Sequence, residues 1–231
     1  MPQKFAINND LSIEYLVLND TMEGTPLVIV PGAVVGAAEV VESIRSNCNI
    51  KTIVISLRGR GESSKPIEGY SLEEQVSDIE SVVKNEKLDA LYILGHSNGA
   101  GIAAKFALMN KSIIKGLMLA DFPPGYPSFP IEWAEHVKSN RPDVSENLIN
   151  GLARDSVKHF FLDELAASGL KVLLLRSGGE DSLLQAGLAE KIHATIPGCE
   201  YKKIENCGHE MFDENPKEVF AEVNKFMEDI V

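Results

Sequence analysis

The sequence is poor in cysteine and has no long apolar run. Its three cysteines, Cys48, Cys199 and Cys207, are an odd number, and no apolar segment behind Met1 resembles a secretory signal. This combination predicts reduced thiols in the cytoplasm rather than a disulfide framework. Cys199 and Cys207 lack the further ligands and spacing of a zinc site. Because no stretch is long enough to span a bilayer, a membrane-embedded chain is also not expected.

Basic residues are scarce relative to acidic ones. The chain has 22 Lys and Arg against 34 Asp and Glu, giving a formal net charge of −12. Such a charge disfavours nucleic acid and anionic membranes as partners. It is compatible with a small-molecule substrate and does not set the oligomeric state.

Repeats, low-complexity tracts and linkers are absent too, so the 231 residues predict one α/β core with a small insertion. Strand-like apolar runs alternate with helical patterns, which predicts an α/β fold with a mainly parallel central sheet and helices on both faces. The predicted strands are Leu11–Val17, Leu27–Val30, Thr52–Leu57, Ala90–Leu94, Ile114–Ala120, Leu170–Leu175 and Tyr201–Ile204. The predicted helices are Ser71–Lys84, which opens with a Ser71/Glu74 capping box, Ala100–Met109 and Pro216–Ile230.

The alternation breaks between Ala120 and Leu170. A proline-rich stretch is followed there by two helical patterns, Ile131–Ser139 and Ser145–Leu165, and the segment is too long for a plain connection. We therefore expect residues 122–166 to form a small helical cap over a core made of residues 1–121 and 167–231. Such a cap would cover the edge of the sheet where open α/β folds place their sites. Its aromatic side chains are expected to divide between the cap's own core and an acyl pocket.

The pentapeptide Gly95-His96-Ser97-Asn98-Gly99 fits the pattern G-x-S-x-G. A predicted strand precedes it and a predicted helix follows it, which is the setting of a nucleophile elbow. The sharp turn would project the Ser97 hydroxyl at the sheet edge, near a helix N-terminus that favours negative charge. The sequence therefore predicts Ser97 as a nucleophile.

A serine hydroxyl needs a neighbouring base in order to attack a carbonyl at neutral pH. His209 follows the last predicted strand on a glycine-containing loop, at the same sheet edge as Ser97. The other histidines are less suitable, because the side chain of His96 should point elsewhere, His136 and His159 lie in the insertion, and His193 lies in a surface helix. We expect His209 to be the base.

Three further segments carry a resemblance to a known family. Pro31-Gly32 falls where the family usually has His-Gly, Leu57–Ser63 matches the loop after its next strand, and Asn206–His209 matches the segment of its catalytic histidine. With the pentapeptide, these ordered matches resemble the α/β-hydrolase superfamily, of the serine esterase or lipase type with a short cap, over nearly the whole chain. The resemblance implies the chain order serine, acid, histidine.

The resemblance leaves the acid open. The family usually shows Gly-x-x-Asp after the strand Leu170–Leu175, and Gly178 to Asp181 matches, so Asp181 is the expected triad acid. Asp121, which ends the preceding strand, is an alternative because some relatives use that position. Glu180 is a second alternative if the register of the loop slips.

An oxyanion hole would need two preorganised donors. The backbone N–H of Asn98 is expected to be one, and that of Ala33, in the loop after Leu27–Val30, the other. Pro31 removes a backbone donor and fixes φ, but neither expected donor is residue 31. We therefore expect the hole to be kept, with its outer hydrogen bonding altered.

Together these features predict a serine hydrolase that cleaves a small to medium carboxylic ester through an acyl-enzyme. Thioester, lactone and carbon–carbon bond hydrolysis use the same machinery and stay open, whereas an aspartate nucleophile would be needed for dehalogenase or epoxide hydrolase chemistry. A non-catalytic ligand-binding protein is the alternative of another class. No cofactor or metal is expected, since Gly59-Arg60-Gly61 lacks the spacing of a phosphate loop and is better interpreted as a turn.

Overall fold

The computed structural model describes residues 2–230. Its centre is an eight-stranded sheet in the order β1-β2-β4-β3-β5-β6-β9-β10. The strands are β1 (Gln3–Asn8), β2 (Leu11–Leu18), β3 (Leu27–Val30), β4 (Thr52–Ile55), β5 (Leu91–His96), β6 (Ile114–Ala120), β9 (Val172–Ser177) and β10 (Glu200–Ile204), while β7 (Gly125–Tyr126) and β8 (His159–Phe160) form a separate pair.

Parallel pairing dominates the sheet. Within the eight-stranded sheet, the run β4-β3-β5-β6-β9-β10 pairs in parallel throughout, whereas β1 with β2 and β2 with β4 pair antiparallel. In the sheet, β4 lies on one side of β3, and the next strand along the chain, β5, lies on the other side. A topological switch point therefore lies between β3 and β5. Sites of open α/β sheets form at the carboxyl ends of strands beside such a point.

Helices cover both faces of the sheet, as the sequence predicted. One face packs against α2 (Leu72–Asn85), α3 (Asn98–Met109) and α7 (Ala186–Thr195). The other packs against α1 (Ala37–Arg45), α8 (Met211–Glu214) and α9 (Pro216–Glu228). Among the described residues, no helix combines the length and apolar character that crossing a membrane would require.

The predicted capping box of α2 is confirmed. Ser71 accepts a hydrogen bond from the backbone N–H of Glu74 at 3.3 Å, and the Glu74 carboxylate accepts one from the N–H of Ser71 at 2.9 Å. The elements that were not predicted include the edge strand β1, the helix α1, the short helix α8 and the strand pair β7–β8. The fold class is confirmed by the mainly parallel sheet with helices on both faces.

The segment between β6 and β9 contains β7, α4 (Ile131–Asn140), α5 (Glu146–Asp155), β8 and α6 (Leu162–Ala166). The single helical segment predicted over Ser145–Leu165 is wrong. After Asp155 the backbone becomes extended, and residues 159–160 pair with β7 instead of continuing the helix. This pairing gives the segment its own small sheet.

Candidate active site

Ser97 lies at the turn between β5, which ends at His96, and α3, which begins at Asn98. Its backbone has φ 55° and ψ −134°, a conformation that L-residues rarely adopt and that costs on the order of 1–3 kcal/mol. The surrounding β5 and α3 are almost wholly buried and hold this turn in place. The structure thus places Ser97 in the strained strand–turn–helix setting that the sequence predicted.

The two glycines of the pentapeptide are required by close packing of backbone. A β-carbon on Gly95 would overlap the backbone of Gly99 and Ala100, where α3 begins. A β-carbon on Gly99 would overlap the carbonyl oxygens of Val30 and Pro31, at the end of β3. The glycines therefore let α3 start directly against β3 and β5, which fixes the direction of the Ser97 side chain.

A continuous chain of hydrogen bonds joins three side chains at the carboxyl ends of the strands. His209 Nε2 lies 3.0 Å from the Oγ of Ser97. His209 Nδ1 lies 2.8 Å from Oδ2 of Asp121. Because a carboxylate only accepts, Nδ1 carries the proton, and Nε2 is left as an acceptor for the Ser97 hydroxyl.

Asp121 is the most enclosed member of this chain. It is fully buried, immediately after β6, with φ 49°. Its Oδ1 accepts hydrogen bonds from the N–H of Ser177 at 3.0 Å and the hydroxyl of Ser182 at 2.6 Å, and its Oδ2 accepts one from the N–H of Leu183 at 3.1 Å. Burial alone would raise the pKa of Asp121, but the hydrogen bonds from His209, Ser182 and the two amides together hold the pKa below its ordinary value.

Asp181, the acid expected from the sequence, does not contact the imidazole. Its Oδ2 instead accepts a hydrogen bond from the backbone N–H of His209 at 3.1 Å. The preference for Asp181 is thus corrected, since the alternative Asp121 occupies the position beside Nδ1. Glu180 is exposed and makes no hydrogen bond or ion pair with any other residue in the described range 2–230.

His96 was expected to point away from the site, and its ring in fact turns toward the loop of His209. Its Nε2 lies 2.8 Å from the backbone oxygen of His209, and the two imidazole rings stack with centroids 5.0 Å apart. Burial, and then the charge that His209 can carry, lower the pKa of His96 to about 4. His96 is therefore neutral at physiological pH, and its Nε2 carries the proton that the carbonyl accepts.

The two expected oxyanion donors flank Ser97. Asn98 occupies the first position of α3, where backbone N–H groups have no partner within the helix. Ala33 follows Gly32, and a β-carbon on Gly32 would lie 3.4 Å from the β-carbon of Ser97, so this loop runs directly beside the nucleophile. An oxyanion between these N–H groups stays a prediction that this placement favours.

Arg60 holds the loop that contains Ala33 in place, a role that was not predicted from the sequence. Its guanidinium is buried and donates to the carbonyl oxygens of Ala33 at 2.8 Å and Arg58 at 2.7 Å and to the side-chain oxygen of Gln75 at 2.8 Å. Burial lowers the pKa of Arg60 to about 10, which still leaves it charged at neutral pH. The segment Leu57–Ser63, noted for its resemblance to the family, was the available signal.

A cysteine thiolate would be the alternative nucleophile. All three cysteines are free and buried, and burial raises the pKa of Cys207, two residues before the histidine, to about 11. Its thiolate is therefore scarce at neutral pH. Within residues 2–230, no group of three or more His, Cys, Asp or Glu side chains is arranged to hold a metal.

The aromatic residues of the segment between β6 and β9 mostly pack inward. Tyr126, Phe129 and Phe161 are buried in the core that faces α2 and α3, and Trp133 packs partly against it. Phe160 is 43% exposed. Most of these rings therefore anchor the segment on the core.

A strained serine on a strand–helix turn, with a histidine and a buried aspartate from two neighbouring loops, is the arrangement that defines α/β hydrolases. The family model for the alpha/beta hydrolase fold matches residues 25–177. The chain therefore belongs to the α/β-hydrolase fold family.

Individual relatives match with low sequence identity or over only part of the chain. The chain is 31% identical over 107 residues to a soluble epoxide hydrolase from Corynebacterium sp. (strain C12), covering 42% of this chain and 37% of that protein. It is 22% identical over 215 residues to the AB hydrolase superfamily protein YisY from Bacillus subtilis (strain 168), covering 75% and 80%. The match to the epoxide hydrolase thus spans little more than a third of that protein's length.

Among solved structures, an esterase from Exiguobacterium antarcticum superposes with a TM-score of 0.83 at 22% identity. The superposition covers 98% of this chain and all of the other. At this identity the likeness establishes the fold alone.

Proposed function

We propose that this protein is a serine hydrolase that cleaves small to medium carboxylic esters through a Ser97–His209–Asp121 triad. The observation that carries the proposal is the unbroken hydrogen-bond chain from Ser97 Oγ through both ring nitrogens of His209 to the buried Asp121. Asp121 replaces Asp181 as the acid because, of these two carboxylates, Asp121 hydrogen-bonds the ring and Asp181 the backbone N–H of His209. The remaining parts of the proposal follow from the chemistry of such a chain.

In the first half of the reaction, Ser97 Oγ attacks the ester carbonyl carbon while His209 Nε2 takes the hydroxyl proton. The carbonyl oxygen becomes an oxyanion, which the N–H groups of Ala33 and Asn98 would stabilise. The imidazolium is stabilised by the ionised carboxylate of Asp121 on its other side. When the tetrahedral intermediate collapses, the C–O bond to the alcohol breaks, His209 gives its proton to the leaving alkoxide, and an acyl-serine remains.

In the second half, water takes the place of the alcohol. His209 removes a proton from the water as its oxygen attacks the acyl carbon, and a second tetrahedral intermediate forms at the same N–H groups. Its collapse breaks the bond to Ser97 Oγ, which recovers a proton from His209, and releases the carboxylic acid. The depressed pKa of Asp121 keeps it ionised through both halves.

The triad does not by itself select carboxylic esters over other acyl bonds. Thioesters, lactones and some carbon–carbon bonds are attacked by the same machinery. Ser97 stands where epoxide hydrolysis needs an aspartate, so the similarity to an epoxide hydrolase is not extended to that chemistry. A small-molecule acyl partner and a cytoplasmic location likewise stay predictions.

A substrate panel combined with covalent labelling tests the proposal. The wild-type protein should hydrolyse short p-nitrophenyl esters and react stoichiometrically with a fluorophosphonate probe, and Ser97→Ala should abolish both without changing the unfolding midpoint. Thioesters and lactones in the same panel rank the alternative acyl bonds by kcat/KM. Absence of both turnover and labelling in the folded wild-type protein would reject the enzyme and favour a ligand-binding protein.

A further inference from the structure

The backbone of His209, as well as its ring, is held by specific side chains. Its N–H donates to Asp181 Oδ2 at 3.1 Å, and its carbonyl oxygen accepts from His96 Nε2 at 2.8 Å. The same oxygen also accepts from the N–H of Met211 at 2.8 Å. The peptide groups on both sides of the histidine are therefore fixed, independently of the contacts that its ring makes.

The residues before His209 are fixed in the same way. The N–H of Gly208 donates to the carboxylate of Glu214 at 2.8 Å, and the carbonyl of Cys207 accepts from the N–H of Gly179 at 2.7 Å. A β-carbon on Gly208 would lie 2.7 and 2.8 Å from the two carboxylate oxygens of Asp181. The Asp181 carboxylate thus lies directly over the Gly208–His209 peptide.

We propose that Asp181 and His96 are positioning residues that hold the main chain of His209 so that its ring stays between Ser97 and Asp121. The proposal rests on the proposed function and deepens it. It assigns to Asp181 the task of accepting a backbone N–H rather than that of the triad acid. His96, the residue before the nucleophile, ties the nucleophile turn directly to the loop of the base.

The two contacts differ in how replaceable they are. The N–H of His209 has Asp181 as its acceptor, whereas the carbonyl of His209 keeps the Met211 N–H if His96 is removed. Loss of the Asp181 carboxylate should consequently displace the base more than loss of the His96 donor. A misplacement of a reacting group by about 1 Å is enough to lower a rate about a hundredfold.

The Asp181 contact is tested with Asp181→Ala, Asp181→Asn and the matched control Glu180→Gln. Asp181→Ala should lower kcat for an ester about ten- to a hundredfold with little change in KM, while Asp181→Asn, whose amide oxygen still accepts the N–H, should recover most of that loss. Glu180→Gln removes a neighbouring exposed charge and should stay at the wild-type level. The proposal fails if Asp181→Ala matches the control, or if Asp181→Asn is as inactive as Asp181→Ala.

The His96 contact is tested with His96→Gln and His96→Phe. Gln can present an N–H at the place of Nε2, whereas Phe keeps the ring contact and loses the donor. We expect kcat to fall severalfold more in His96→Phe than in His96→Gln. Equal activity of the two variants, or a lower activity of His96→Gln, would overturn the role of the donor.

A measurement that needs no turnover separates this proposal from the proposed function. Hydrogen exchange of the His209 amide, followed by NMR, should be about tenfold faster in Asp181→Ala than in wild type and Glu180→Gln, because the acceptor is gone. If the wild-type protein hydrolyses no ester but this difference is found, the proposed function fails and the backbone contact stands. If esters are hydrolysed but exchange is equal in all three proteins, the positioning role fails alone.

Discussion

Asp121→Asn is the substitution that discriminates best between the two carboxylates near His209. The change keeps the size of the side chain and removes its charge. An amide nitrogen facing Nδ1 would donate rather than accept, so His209 would place its proton on Nε2 instead. Nε2 would then face Ser97 Oγ, now 3.0 Å away, with a proton of its own and could not remove the hydroxyl proton.

The magnitude follows from this change of tautomer. In a serine triad, the corresponding loss of the acid's charge lowers kcat about 10⁴-fold, which corresponds to about 5.4 kcal/mol of transition-state stabilisation. KM should change little, because Asp121 is fully buried and is not one of the proposed oxyanion donors. A residual rate above that of water should remain from those groups.

The assay is steady-state hydrolysis of a short p-nitrophenyl ester by wild type, Asp121→Asn and Asp181→Asn, at a temperature well below each unfolding midpoint. Circular dichroism of each protein serves as the control for folding. The expected order of kcat is wild type, then Asp181→Asn, then Asp121→Asn by several orders of magnitude. If Asp121→Asn stays within tenfold of wild type, or loses less than Asp181→Asn, Asp121 is not the triad acid.

Two further predictions concern stability. The folded-state pKa of Asp121 lies below its unfolded value, so its stabilising contribution is complete above about pH 4 and is lost as the pH falls through the folded pKa. The difference in unfolding free energy between wild type and Asp121→Asn, measured with urea, should therefore be constant near neutrality and shrink in acid. A difference that grows in acid would contradict the lowered pKa. Gly99→Ala should fail to fold or should unfold at clearly lower urea concentration, because its β-carbon would overlap the carbonyl of Val30. Ala100→Gly, at the next and equally buried position of α3, should cost about 2 kcal/mol, from helix propensity and the lost burial of one methyl group. An equal loss in both variants would refute the packing argument.

The sheet could be predicted because its central strands are short continuous apolar runs. Strand β1 could not, since only Ala6 of its six residues is buried and its strand conformation depends on pairing with β2. Helix α1 carries a readable pattern, with Ala37, Val40, Val41 and Ile44 buried on one face. The spacing of those residues is helical, so this helix can be predicted from the sequence.

Ser97 and His209 could be placed from the sequence because each follows a strand in a parallel sheet, and the carboxyl ends of such strands lie together. The contacts of Arg60 and His96 could not be predicted from the sequence. Arg60 holds Ala33, 27 positions earlier, and His96 holds the carbonyl of a residue 113 positions later. No local pattern encodes which carbonyl a buried donor will meet.

The choice between Asp121 and Asp181 depends on where the loop after β9 directs its hydrogen-bond donors. A carboxylate that is fully buried and ionised needs several donors to offset the loss of water. Besides His209, Asp121 receives three of them, one from the N–H of Ser177 at the end of β9 and two from Ser182 and Leu183 in the loop that carries Asp181. The loop that carries Asp181, the acid expected from the family resemblance, therefore donates hydrogen bonds to Asp121 at the end of the preceding strand. With its donors so directed, this loop leaves Asp181 exposed with a single backbone partner, a poor setting for the charge opposite an imidazolium. When the triad acid is sought in the loop after β9, a buried Asp after β6 should be considered first, because it can accept the hydrogen bonds that this loop donates.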